Sequence, residues 1–404
     1  MQAKASSPSD SRSARITVAL FLAGFSTFSL LWCVQPLLPH LAEAFVLEPA
    51  TSALALSAAT APLAVAILAM GALSESVGRK RLMALSLFSA ALLHLAGALV
   101  PSWWGLVAVR FLEGIALGGA PAVAMAYLAE ELPLEHIGGA MGRYIAGTAM
   151  GGMLGRVGAG ALVEPWGWRG AMGVIGALGL MAAVGFALLL PPSAHFRPRR
   201  GGRRLHLAAW RRHVRDPKLA RLFLVSFLAM GSFVSAYNYV GFYLSAPPYA
   251  LSAPWVGSLF LVYIFGVLAS SVAGRLIARW GRLRSLMMGL ATMGSGLALT
   301  LVPALPAVVA GVALVTMGFF GTHAVASGWV GQAARGAKAH ASALYLFAYY
   351  VGASALGWLG GFVWAGQGWS GSVTFALGLV GAAFLAALTL RGASGGRDRR
   401  GFGA

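Results

Sequence analysis

Gly71-Ala-Leu-Ser-Glu-Ser-Val-Gly-Arg-Lys-Arg81 lies between two long apolar runs, and its reading decides the fold. A short, glycine-punctuated turn carries one acid, Glu75, and then three consecutive cations, Arg79, Lys80 and Arg81. Between membrane helices, such a cluster marks a tight loop retained on the cytoplasmic side. A reduced copy follows at Gly274-Arg-Leu-Ile-Ala-Arg-Trp-Gly-Arg282, again before an apolar run. Both copies separate their glycines by the same interval, and they lie about half a chain apart. Two homologous halves, a parallel repeat, are therefore expected.

The first copy resembles the loop signature of the major facilitator superfamily, G-x-L-x-D-[RK]-x-G-[RK]-[RK]. Gly71, Leu73, Gly78 and the basic end match it. Glu75 stands where the family has Asp, and Ser76 replaces a cation. The resemblance implies that Gly71, Leu73, Glu75, Gly78, Arg79, Lys80 and Arg81 form a gating loop against helix ends.

Composition points the same way. Hydrophobic residues make up 58% of the 404-residue chain and charged residues 10%, too apolar for a protein of this length facing water. The net charge of +19 does not indicate a nucleic-acid partner, because its cations sit in short loops and tails rather than on a soluble basic face. The single cysteine, Cys33, excludes an intramolecular disulfide and reads as a small apolar helix residue.

Residues 1–15 form a polar N-tail, expected to be disordered and cytoplasmic, and the long apolar run after it argues against a cleaved signal peptide. Helix 1 is expected over about 16–38, interrupted near its far end by Gln35 and Pro36, a break tolerated where a helix faces protein or a wet cavity. Helices 2 to 6 follow at about 51–73, 82–100, 105–128, 139–163 and up to 190. Turns at Pro101-Ser-Trp-Trp104 and Pro165-Trp-Gly-Trp-Arg169 lie outside, and an acidic connection, Glu130 to Glu135, lies inside. A strongly basic linker, 191–218, separates the halves. Helices 7 to 12 are expected at about 219–246, 254–278, 284–303, 305–328, 339–364 and 370–390, before a basic tail, 391–404.

This arrangement gives an all-α integral membrane protein with twelve transmembrane helices in two pseudo-symmetric six-helix bundles, 16–190 and 219–390. All of the 30 lysines and arginines except Arg110, Arg156 and Arg169 then fall in the tails and inner loops. Tails and linker on one side demand an even number of spans per half, and six plus six satisfies this. Both termini are expected in the cytoplasm.

Several polar residues interrupt the apolar helices. Arg110 and Glu113 are three apart and share one face of helix 4. A charge near mid-membrane costs about 2.5–3.5 kcal/mol on insertion scales, so each needs a partner or a wet cavity. One reading is a buried structural ion pair; the other is an arginine that governs the protonation of an acid. Arg110-Phe-Leu-Glu-Gly114 resembles the superfamily's R-x-x-Q-G motif, whose arginine is implicated in proton coupling in antiporters. Glu113 in place of Gln adds a titratable group and becomes a candidate proton carrier. His323, on a stripe with Thr316, Phe319 and Ser327, is a second proton-relay candidate, against the plain reading of a histidine satisfied by a neighbour. His94 reads as structural.

Gly147, Gly151 and Gly155 recur every four residues in helix 5, a smooth face for close packing. They resemble the antiporter motif G-x-x-x-G-P-x-x-G-G, with Arg156 in the proline position. Arg156 either faces a cavity and an anionic substrate or pairs with Glu113 or a backbone carbonyl. Gln35, Asn238, Tyr239, Tyr345 and Tyr349 are further substrate-cavity candidates, suited to an amphipathic ligand or to interhelical hydrogen bonds. No metal, nucleotide or catalytic motif is visible, so no cofactor is expected.

Longer phrases, Gln35-Pro-Leu-Leu-Pro39, Pro121-Ala-Val-Ala-Met-Ala-Tyr127, Gly151-Gly-Met-Leu-Gly-Arg156 and Gly318-Phe-Phe-Gly-Thr-His-Ala-Val-Ala-Ser327, resemble a bacterial YnfM-type branch grouped with drug and sugar efflux proteins. The resemblance implies a secondary transporter of the bacterial inner membrane, with the bilayer, protons and a small molecule as partners. Proton-coupled efflux of a small amphipathic compound is the preferred expectation and uptake by symport the runner-up. An intramembrane enzyme or a receptor retaining the fold is the remote third. A monomer is expected.

Overall fold

The computed structural model describes residues 8–193 and 203–390; the expectations for 1–7, 194–202 and the tail 391–404 lie outside the described residues. All regular elements among the described residues are helical. They run α1 (Pro8–Trp32), a 3-10 turn (Gln35–Leu37), α2 (Leu38–Ala44), α3 (Pro49–Ser52), α4 (Leu54–Val77), α5 (Arg79–Leu99), α6 (Trp103–Leu117), α7 (Gly119–Glu131) and α8 (Leu134–Leu189). After the linker come α9 (Arg203–Arg215), α10 (Pro217–Ser245), α11 (Ala253–Ser258), a second 3-10 turn (Leu259–Val262), α12 (Tyr263–Leu299), α13 (Leu305–Ala333) and α14 (Lys338–Leu388).

Nine helical runs among the described residues are long and apolar enough to cross a membrane. Three of them, of 54, 47 and 51 residues, are far longer than the ~20 residues that span a ~30 Å hydrocarbon core. Each is broken at one glycine with positive φ: Gly167 (65°), Gly281 (78°) and Gly368 (59°). Only glycine adopts that backbone without strain, so each break folds one run into two passes. Nine runs thus make twelve spans.

Neighbour order shows the reversals. In the first arm of α8, Gly147, Gly151 and Gly155 meet Phe21, Phe25 and Ser29 of α1 in ascending order; in the second, Gly179 and Gly185 meet Leu30 and Leu22 in descending order. The second half repeats the pattern. Gly352, Gly357 and Gly360 of α14 ascend along Phe227, Val234 and Ser235 of α10. Beyond Gly368 the order descends, with Trp369 against Tyr243, the Ala376 carbonyl on Ser232 and the Thr389 carbonyl on Arg221. The glycine ladder is a close backbone contact: a Cβ at Gly147 or Gly151 would stand 2.3 Å from the carbonyl oxygen of Phe21 or Phe25.

The described chain divides into two compact units. The first holds the residues up to Val46, those from Ala58 to the end of α8, and Ser252–Phe260; the second holds Leu47–Ser57, α9 through Leu251, and Leu261 onward. A buried apolar core at one end of the first unit joins Ile16 and Leu20 of α1, Met83 and Leu87 of α5, Val123 and Tyr127 of α7, and Phe186 of α8.

Several local expectations change: helix 4, expected over about 105–128, is split into α6 and α7 at Gly118, and the linker carries α9. Helix 1 starts at Pro8 rather than near residue 16, because residues 12–15 are anchored: Arg12 pairs with Glu131 at 2.6 Å and the Arg15 guanidinium donates to the Leu188 carbonyl. Helix 8 does not run unbroken from about 254, since a 3-10 turn separates α11 from α12.

Candidate functional site

The first unit buries a charged cluster where α1 ends. Trp32 closes α1, and Pro36, which has no N–H, follows in the 3-10 turn. Carbonyls in the last turn of a helix lack intrahelical partners and carry the negative end of its dipole. Arg110 of α6 fills that place: Nη1 donates to the Leu30 carbonyl at 3.2 Å and Nη2 to the Leu31 carbonyl at 3.0 Å. One helical turn on, Glu113 Oε2 accepts from Arg110 Nη1 at 2.7 Å.

His94 completes the cluster from α5, its Nδ1 3.0 Å from Glu113 Oε1, and Cys33 Sγ lies 3.5 Å from His94 Nε2. A carboxylate only accepts hydrogen bonds, so a neutral His94 meeting Glu113 carries its proton on Nδ1, leaving Nε2 for the thiol hydrogen. All four side chains are buried. Sequence reasoning took His94 and Cys33 for plain structural residues. The signal that could have found them is a histidine flanked by Leu93 and Leu95 in mid-helix, where a polar group needs a partner.

Arg156 does not join this cluster. Its Nε donates to Gln35 Oε1 at 2.8 Å and its Nη1 to the Gly152 carbonyl at 2.7 Å. The guanidinium lies over the rings of Trp32, at 4.6 Å, and Phe260, at 5.2 Å. Two sequence-predicted residues, Gln35 and Arg156, are thus brought together in a cation box with aromatic walls.

The second unit gathers an aromatic nest around His323 of α13. Tyr345 Oη is 3.0 Å from His323 Nδ1, and the Tyr349 ring centroid is 5.0 Å from the imidazole. Phe319 stacks on both His323 and Phe233, and Tyr237 Oη meets Thr316 Oγ1 at 2.6 Å. His323 and Tyr349 keep partial exposure, whereas Tyr345 is buried. Asn238 and Tyr239 are held elsewhere. Asn238 Nδ2 and Tyr239 Oη both donate to the Gly357 carbonyl, tying α10 to α14.

The basic turn is built around Gly78 (φ 100°), which breaks the helix between α4 and α5. Arg79 grips both carboxylate oxygens of Glu130 and also bonds Ser74 Oγ, which itself donates to the Gly71 carbonyl. Lys80 donates to the Leu190 carbonyl. Glu75, Leu73 and Arg81 lie on the turn's partly or fully exposed side. The second half repeats this construction: Gly281 has the same extended, positive-φ backbone, and Arg282 reaches Gln332 at the end of α13.

Comparison with known proteins agrees with this architecture. Residues 20–355 match the Major Facilitator Superfamily. The chain is 44% identical over 381 residues to an uncharacterized MFS-type transporter, YybF, of Bacillus subtilis (strain 168), covering 94% of this chain and 93% of that one. It is 42% identical over 361 residues to the inner membrane transport protein YnfM of Escherichia coli (strain K12), covering 89% and 87%. Among solved structures, the fold is similar to that of a D-xylose–proton symporter (TM-score 0.70, 17% identity, 94% and 97% covered) and of a bacterial homologue of the lysosomal transporter Spinster (TM-score 0.72, 15% identity, 95% and 96% covered). With its two six-helix halves, its repeated basic turn and these relatives, the chain belongs to the Major Facilitator Superfamily of multi-pass membrane transporters.

Proposed function

We propose that this secondary transporter exports a small amphipathic organic compound in exchange for protons. It would sit in the bacterial inner membrane with both termini in the cytoplasm and work by alternating access. The observation that carries the proton coupling is the buried Glu113 carboxylate, held at 2.7 Å by Arg110 and at 3.0 Å by His94. A proton arriving on Glu113 cancels the charge that neutralises Arg110, so protonation changes the energy of the whole cluster and not of one side chain.

The substrate class rests on the His323, Tyr345 and Tyr349 nest and the Gln35–Arg156 box, which offer aromatic faces beside a few hydrogen-bonding groups. Arg79, gripping Glu130, acts in this scheme as a clasp at the gating turn. A substrate screen in reconstituted vesicles with an imposed pH gradient tests the proposal. Export is supported if a compound moves against its gradient as protons move the other way. Movement of both in one direction makes the protein a symporter.

A further inference from the structure

Two adjacent stripes divide α9. His206, Trp210 and His213, spaced four and three apart, turn toward the start of α14. His206 Nδ1 lies 2.8 Å from His340 Nε2, the Trp210 ring 6.1 Å from the His340 ring, and His213 Nε2 3.2 Å from the Ala337 carbonyl. The neighbouring stripe holds Leu207, Arg211, Val214 and Arg215 and faces away from the protein; Leu207 is 59% and Val214 54% exposed. Beside it runs an open groove of about 890 Å³, whose lining includes Leu207, Arg211, Arg212, Arg215, Asp216 and Arg335.

The groove's one acid is already occupied. Asp216 Oδ1 accepts from the Lys218 and Leu219 amides at 2.9 and 3.2 Å and caps α10. None of the four lining arginines makes an ion pair among the described residues. The site is therefore a concentration of forked cationic donors, the geometry suited to phosphate oxygens.

Its position selects the source of that phosphate. Asp216 joins α9 directly to the membrane-spanning α10, which sets the helix beside the end of a span. A free phosphate would leave Leu207 and Val214 in water. A phospholipid would set its phosphate among the guanidinium groups and take both aliphatic side chains into the headgroup–acyl boundary. We infer that the outer stripe of α9 and its groove form a binding site for the headgroup of an anionic phospholipid. The site does not depend on the direction or coupling of transport.

The test uses the full-length protein, delipidated in neutral detergent and titrated with short-chain phosphatidylglycerol, with phosphatidylcholine of the same chains, or with inorganic phosphate. Native mass spectrometry counts the bound molecules. Phosphatidylglycerol should bind about tenfold or more tighter than phosphatidylcholine. Arg211→Gln/Arg212→Gln/Arg215→Gln should erase that preference, while Arg275→Gln/Arg284→Gln, which removes two exposed arginines elsewhere, should keep it. Leu207→Gln/Val214→Gln should weaken phosphatidylglycerol alone. Equal affinity for the two lipids, or loss of preference in the Arg275/Arg284 variant as well, overturns the site. Displacement of the lipid by inorganic phosphate at equal concentration, with no effect of the Leu207/Val214 change, makes it a small-anion site and overturns the lipid assignment.

Discussion

Arg79 Nη2 stands 2.7 Å from Glu130 Oε1 and its Nε 3.2 Å from Oε2, a two-pronged ion pair between the basic turn and the last turn of α7. A carboxylate at a helix C-terminus opposes the helix dipole, and Arg79 offsets that cost. In the second half Arg282 meets Gln332 in the same place, so the repeat keeps the geometry and drops the charge. A double-mutant cycle of Arg79→Gln and Glu130→Gln should give a coupling of about 1 kcal/mol in thermal unfolding, because the pair is only partly shielded from water. Strict additivity of the two changes would show that the turn is not held by this pair.

Gly78→Val should impair transport far more than membrane insertion. Its φ of 100° is strained for any side chain, at about 1–3 kcal/mol, and the strain falls on the turn rather than on a span. Vesicle flux normalised to membrane yield is the readout, and normal flux would remove the turn from the gating scheme.

Glu113→Gln should abolish gradient-driven transport while substrate exchange at equal pH persists. Gln keeps the shape and one acceptor oxygen for Arg110, and its amide N–H can meet His94 Nδ1 once the imidazole carries its proton on Nε2, so folding should suffer less than in Arg110→Ala. The alanine variant leaves Glu113 buried with its cation gone, at a cost of about 3–5 kcal/mol. Undiminished gradient-driven flux in Glu113→Gln would shift proton carriage to His323.

Gly151→Ala should lower folded yield in the membrane. Its Cβ would meet the Phe25 backbone at 2.3 Å, and a backbone cannot swing aside as a flexible side chain can, so about 1–3 kcal/mol is expected. Gly142→Ala, on the same arm but with open space around it, should be neutral or slightly stabilising. Thermal stability by fluorescence-detected size exclusion separates the two, and equal behaviour would mean that α1 does not pack against α8 this closely.

The hydrophobic runs made the spans legible, and repeated glycine spacing made the two halves legible, because both are written locally along the chain. The same holds for Arg110 and Glu113, which share a helix face at three residues' spacing. His94 and Cys33 were not legible as members of that cluster, since α5 and the end of α1 meet α6 only through tertiary packing. The Arg156–Gln35 bond joins segments 121 residues apart and leaves no local periodicity. In the linker, the arginine run concealed α9, although His206, Trp210 and His213 already carried a helical interval.

The early end of α1 makes helix shape and buried charge a single variable. Were α1 to straighten through Cys33 and Gln35, the Leu30 and Leu31 carbonyls would turn back to amides of their own chain. Arg110 would then lose these two carbonyl acceptors and lean more heavily on Glu113 and His94. Bending the tip of α1 therefore acts as a mechanical dial on how firmly the carboxylate is held. A spectroscopic probe of the Leu30 carbonyl, such as an isotope-shifted amide band, would report the loading of Glu113 from the neighbouring helix.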